Sequence, residues 1–139
     1  MTLLNTNSKN YFALAFLLLI SALGFSQEVA TSDKIGEFSF ESDVIDYGSI
    51  QKDADGVRVF KFTNTGDAPI VITNAKGSCG CTVPTYSQNV IAPGDAGEIS
   101  VKYATNRIGV FTKTVTLTSN ASEASKVLRI KGEVLKPVE

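Results

Sequence analysis

In the segment FTKTVTLTS, Phe111, Val115 and Leu117 fall on one face and Thr112, Thr114, Thr116 and Thr118 on the other. This period of two, repeated in short runs along the chain, constrains the fold more than any other feature. It belongs to a half-buried strand. Lys113 shares the apolar face and is expected near its rim. EISVKY places Ile99, Val101 and Tyr103 inside, and VLRIKGEV does the same for Leu128, Ile130 and Val134. EFSFE, VIDYGSI, VRVFKFTN and PIVITNA are further short runs, and nothing between the runs has a helical period. In VRVFKF the parity slips between Val57, Val59 and Phe60, Phe62, which predicts a bulge near Val59 or a strand buried on both faces.

Turn residues close each run. Thr65-Gly66-Asp67-Ala68-Pro69 combines a glycine able to take positive φ with a proline that fixes the next strand's entry, and reads as a tight hairpin. Ala92-Pro93-Gly94-Asp95 reads as a proline-glycine turn that launches EISVKY. About seven strands with no helices imply an all-β, antiparallel sandwich of two sheets. The chain has no tryptophan and no distant cysteine pair, which excludes the antibody version of that architecture.

The 139 residues suffice for one domain and are too few for two comfortable ones. YFALAFLLLISALGF, Tyr11 to Phe25, is an uncharged apolar block with the layout of a secretory leader and falls short of the ~20 residues a spanning helix needs. Gly24 and Ser26 predict cleavage after Ser26. That divides the chain into a signal peptide (1–26), a polar linker (27–36) and a β domain (37–136), with no membrane anchor after cleavage. Localisation is then expected to be exported: periplasm, cell surface or extracellular. No cysteine near the leader's end is available to carry a lipid. The 13 basic and 14 acidic residues are scattered singly, so nucleic acid is excluded as a partner.

The chain contains no histidine, which removes the usual general base and metal partner and every Ser-His or Cys-His arrangement. No catalytic residue and no cofactor are expected. What remains is Cys79-Gly80-Cys81, the only two cysteines. Side chains at i and i+2 of a regular strand stand ~7 Å apart, beyond the reach of a disulfide, so a bond between them requires a bend. Gly77 and Gly80 are the residues that permit one, as Gly66, Pro69, Pro93 and Gly94 shape the other loops. Three readings stay open: a local disulfide or two partly buried thiols that shape the loop, a dithiol-disulfide exchanger, and a Cu(I) site on Cys79 and Cys81. Zinc would need more ligands than one chain supplies.

Other motifs have ordinary explanations. Asp53 and Asp55 match part of a calcium loop whose later ligands are missing, and read as a turn. Asp43 and Asp46 read as turn carboxylates and Asn120-Ala121-Ser122 as the turn between the last two strands. The threonine face reads as an exposed sheet face.

The run FKFTNTGDAPIVITNAKGSCGCTVP, followed by IAPGDAGEISVKY, FTKTVTLTSNA and LRIKGEV, resembles the bacterial family called "domain of unknown function 1573". That family is similar to the Hydin-like, ASH-type branch of immunoglobulin-like sandwiches. The resemblance runs from about Tyr47 to Val134, and its most specific segment carries the cysteine pair. A leader ending in Phe-Ser-Gln is similar to those of Bacteroidetes-type envelope proteins. The resemblance implies an immunoglobulin-like fold in an exported protein of undefined role. The residues themselves read as a non-catalytic binding or structural module of the cell envelope with another envelope protein as the expected partner. The expected surfaces are an exposed sheet edge that accepts a partner's strand and the loops at the end bearing the cysteines.

Overall fold

Runs rich in β-branched and aromatic residues, each cut short by turn residues, become eight strands. They are β1 (Phe38–Phe40), β2 (Val44–Gln51), β3 (Val57–Asn64), β4 (Ile72–Gly77), β5 (Thr82–Tyr86), β6 (Ala96–Tyr103), β7 (Gly109–Ser119) and β8 (Ser125–Leu135). The structure, a computed structural model, describes residues 33–138, and no helix occurs among them. The expected leader, its cleavage site and most of the expected linker lie outside the described residues. Of that linker, Ile35 and Gly36 belong to the domain: the Ile35 carbonyl accepts from Asp67 N–H (3.0 Å) and the Gly36 carbonyl from Ser122 N–H (2.8 Å).

The strands form two four-stranded sheets, one ordered β1-β3-β6-β5 and the other β2-β8-β7-β4. The expected sandwich is therefore present, with three corrections. There are eight strands, the additional one being β5, which lies outside the runs picked out in the sequence and carries Pro84. The pairing is not wholly antiparallel, because β2 runs parallel to β8. The segment 65–69 is not a hairpin, since β3 and β4 lie in different sheets and the chain crosses between them.

The inward faces meet in one core of Phe60, Phe62, Ile99, Val101 and Tyr103 from the first sheet against Phe111, Val115, Leu117, Leu128, Ile130 and Val134 from the second. Each buried aliphatic or aromatic side chain contributes roughly 2 kcal/mol of transfer free energy. The parity slip in β3 has a simpler cause than expected. Its register with β6 runs unbroken from Val57 to Thr63. Phe60 and Phe62 point inward and Val57 and Val59 lie exposed on the outer face, so β3 is neither bulged nor buried on both sides.

Tyr47 ties the sheets together. Its buried ring packs edge-on against Phe111, and its hydroxyl crosses to the other sheet to donate to the carbonyls of Gly56 (2.8 Å) and Val101 (3.4 Å). Burial pushes this phenol up to about 12, opposed in part by the Arg58 guanidinium 4.4 Å over the ring. Below about pH 10 the tyrosine is neutral in both states and its contribution is complete. Between about pH 10 and 12 the unfolded chain ionises first, so stability falls as pH rises. Urea titrations are expected to show wild type losing of the order of 2 kcal/mol more across that window than Tyr47→Phe. Parallel pH profiles for the two proteins would contradict this assignment.

Candidate functional site

The connections 52–56, 78–81 and 104–108 meet at one end of the sandwich, because the registers set Val57 opposite Lys102 and Thr82 opposite Tyr103. Short bonds tie them into one unit. Thr105 Oγ1 donates to the Ala54 carbonyl (2.6 Å), Asp53 N–H to the Thr105 carbonyl (3.1 Å) and Ala104 N–H to the Cys81 carbonyl (2.9 Å). Asp53, at φ 63°, takes the left-handed conformation within this network. A depression of about 350 Å3 lies between residues 53–56 and 102–106.

The cysteines sit where the chain leaves one sheet for the other. Cys79 and Cys81 are joined as a disulfide, with their Cα atoms 5.2 Å apart. The turn is closed by Thr82 N–H donating to the Cys79 carbonyl (3.2 Å), and Ser78 N–H anchors it to the Thr114 carbonyl of β7 (2.9 Å). The two sulfurs are not equivalent. Cys81 is 4% exposed and belongs to the core, whereas Cys79 is only partly buried. Cys81 N–H points at Cys79 Sγ (3.2 Å), and Thr82 Oγ1 lies 3.7 Å from each sulfur. Joined in this way, neither sulfur is a thiolate ligand, so a Cu(I) site would require the reduced pair.

The glycines around the pair differ in role. A Cβ on Gly77 would strike the Thr82 carbonyl oxygen, so this glycine lets β4 and β5 approach at the corner. At Gly80 a Cβ would meet nothing within 4 Å, and its φ is not left-handed, so the bend does not depend on glycine there.

The remaining loop residues are structural in their contacts. Gly66 does not take positive φ; a side chain there would collide with the Ile35 carbonyl. The Pro69 carbonyl accepts from Asn120 Nδ2 (3.1 Å), while Asn120 Oδ1 accepts from Val71 N–H (2.7 Å), which accounts for the asparagine of the Asn120-Ala121-Ser122 turn. Pro93 and Gly94 (φ 84°) form the expected turn, closed by Asp95 N–H to the Ala92 carbonyl (3.0 Å). Asp55 accepts from Val57 N–H (3.0 Å), and Asp43 pairs with Lys126 (3.0 Å), raising that lysine. Asp46 accepts from Gly48 N–H (2.8 Å), and this bond, opposed by desolvation and aided by the Lys131 ammonium, holds its carboxyl below the usual range. Among the described residues no three His, Cys, Asp or Glu side chains cluster as a metal site.

Each outer strand carries a feature that limits strand addition along part of its length. Thr82 turns its N–H to Cys79 and Tyr103 turns its own to Gly56 on the β3 side, so the alternation of β5 aims the backbone of Thr82, Pro84 and Tyr86 at the open edge. There Thr82 N–H is already bonded and Pro84 has none. β1 has three residues. β2 is broken by a register shift between Asp46 and Ser49, with Gly48 at φ 64°, and Ser42 Oγ accepts from Val44 N–H (3.1 Å). β4 is covered at Gly77 by Thr82 and preceded by the mutual Ile70–Ile91 pairing.

Residues 38–134 match the family model described as "Protein of unknown function (DUF1573)". No curated protein matches the sequence. A protein of unknown function from Porphyromonas gingivalis W83 superposes with a TM-score of 0.64 at 13% identity, over 78% of this chain and 51% of that one. The VesB protease of Vibrio cholerae gives 0.59 at 15% identity, over 70% of this chain and 32% of the protease. The ASH / PapD-like domain 7 of human CEP192 gives 0.59 at 6% identity, over 75% and 89%. The chain thus spans about half the length of the first and a third of the second, and at these identities the likeness is one of fold: an immunoglobulin-like sandwich of the ASH/PapD type.

Proposed function

The chain belongs to the DUF1573 family of proteins of unknown function, and from that premise we propose that it is an exported, non-catalytic binding module of the cell envelope whose partner is another envelope protein. The observation that carries this reading is the contrast between closed edges and a rigid, apolar-tipped end. The edges offer little to an added strand, whereas the last loop residue, Ile108 (47% exposed), and Val110 (81% exposed) at the start of β7 face outward on either side of Gly109, at φ 116°. Exposed aliphatic side chains at a cross-tied loop and the strand it opens suit a protein partner with an apolar patch, because little ordering entropy is lost on docking. Exportation rests on the leader-like block 11–25 and the absence of catalysis on the missing histidine.

The test is proximity capture in the envelope fraction with wild type and with Ile108→Asp combined with Val110→Asp. The double variant is expected to keep its thermal midpoint, since both sites are exposed, and to lose at least tenfold of the captured partner. Undiminished capture would place binding elsewhere, and the same capture from the cytoplasmic fraction would remove the envelope assignment. A thiol-exchange role is the second reading, favoured by the partial exposure of Cys79.

A further inference from the structure

The two sulfurs of the β4–β5 loop differ in access, which selects the sulfur an external thiolate can attack, and in hydrogen bonding, which supports Cys79 as the attacking thiolate in the oxidising direction. Cys81 is packed in the core beneath the loop, with its carbonyl bonded to Ala104. Cys79 lies between Ser78 and Gly80, both exposed, and the space around Gly80 is open. A thiolate attacks a disulfide sulfur from the side opposite the leaving sulfur. Cys79 is partly open to solvent, whereas Cys81 is 4% exposed, so an external thiolate has access to the first and little to the second. In addition, Cys81 N–H donates to Cys79 Sγ (3.2 Å), so negative charge on that sulfur has a fixed backbone donor. Thr82 Oγ1 lies 3.7 Å from each sulfur and can receive charge on either, including Cys81 when it is the one that leaves.

We propose that Cys79 is the sulfur through which this protein exchanges with an external dithiol, and that Cys81 is its buried resolving partner. In the reducing direction, a thiolate of the dithiol bonds to Cys79 Sγ, the Cys79–Cys81 bond breaks, and Cys81 leaves as a thiolate beside Thr82. The second thiolate of the partner then attacks its own sulfur in the mixed disulfide and releases Cys79. Two electrons pass to this protein, the partner becomes a disulfide, and the two released thiolates take up two protons. Oxidation is the reverse: Cys79 attacks the partner's disulfide and Cys81 closes the loop. The inference rests on the disulfide alone, so its failure leaves the binding-module reading intact and the converse holds.

Two measurements test it. Native Cys81→Ser and Cys79→Ser proteins each keep one thiol, and their reaction with oxidised glutathione is followed by intact mass. Cys79 is expected to react at least tenfold faster than Cys81, with the gap closing in denaturant. Equal rates, or a faster Cys81, overturn the proposal. Wild-type protein treated with reduced glutathione, or with a thioredoxin lacking its second active-site cysteine, and quenched in acid gives a mixed disulfide that peptide mapping locates. Attachment at Cys79 supports the assignment, with the more productive arm showing whether the dithiol is a small molecule or a protein, and attachment at Cys81 in either arm refutes it.

Discussion

Asn64→Asp is expected to destabilise the domain by about 3–5 kcal/mol at pH 7, against the ~5–15 kcal/mol total of an ordinary domain. Asn64 is fully buried, and its side chain satisfies four backbone groups from three segments. Oδ1 accepts from Glu37 N–H (3.2 Å) and Gly66 N–H (3.0 Å), while Nδ2 donates to the carbonyls of Ala68 (2.8 Å) and Ile91 (3.0 Å). An aspartate keeps the shape and turns both donors into an acceptor facing two carbonyl oxygens. Burial and repulsion raise the introduced carboxyl in the folded state, so the unfolded chain ionises first as pH rises above about 4. The deficit relative to wild type is therefore smallest near pH 4 and grows toward neutrality. Urea unfolding at both pH values measures it, as a shifted midpoint at unchanged slope. A loss below about 1 kcal/mol, or one independent of pH, would show that Asn64 is not the junction of these loops.

That role was not legible in the sequence, where Asn64 merely ends a strand and opens a turn. The core was legible: the alternation in β6, β7 and β8 marks Ile99, Val101, Phe111, Val115, Leu117, Leu128 and Ile130, all of them buried, because a period of two reports facing directly. Pairing is non-local, and there the reading weakened. Nothing in Val44–Gln51 announces a parallel partner at the far end of the chain, and Thr65–Pro69 has hairpin composition while crossing between sheets. Pro84 hid β5 because proline is excluded from central strands yet acceptable on an open edge, and which edge is open is a property of the whole sheet. The cysteine pair was visible at once. Its asymmetry was not, since it depends on Ala104 and Thr82 closing over Cys81.

Gly77→Ala and Gly80→Ala, two residues before and one residue after Cys79, are expected to differ sharply. At Gly77 the new Cβ meets the backbone carbonyl of Thr82, which cannot swing aside as a side chain would, so β4 and β5 must separate at the corner between the sheets. That places the cost near the upper end of overpacking, about 3 kcal/mol. At Gly80 the new methyl enters open space at an ordinary φ, and removing a glycine restricts the unfolded chain, so the effect is neutral to about 0.5 kcal/mol stabilising. Chemical denaturation of both variants, oxidised and reduced, separates the causes. The loss at Gly77 should survive reduction, because the obstruction is between backbone atoms and not in the disulfide. Comparable losses at both positions would mean that the loop needs two glycines for its bend, and would return Gly80 to the role its sequence context suggested.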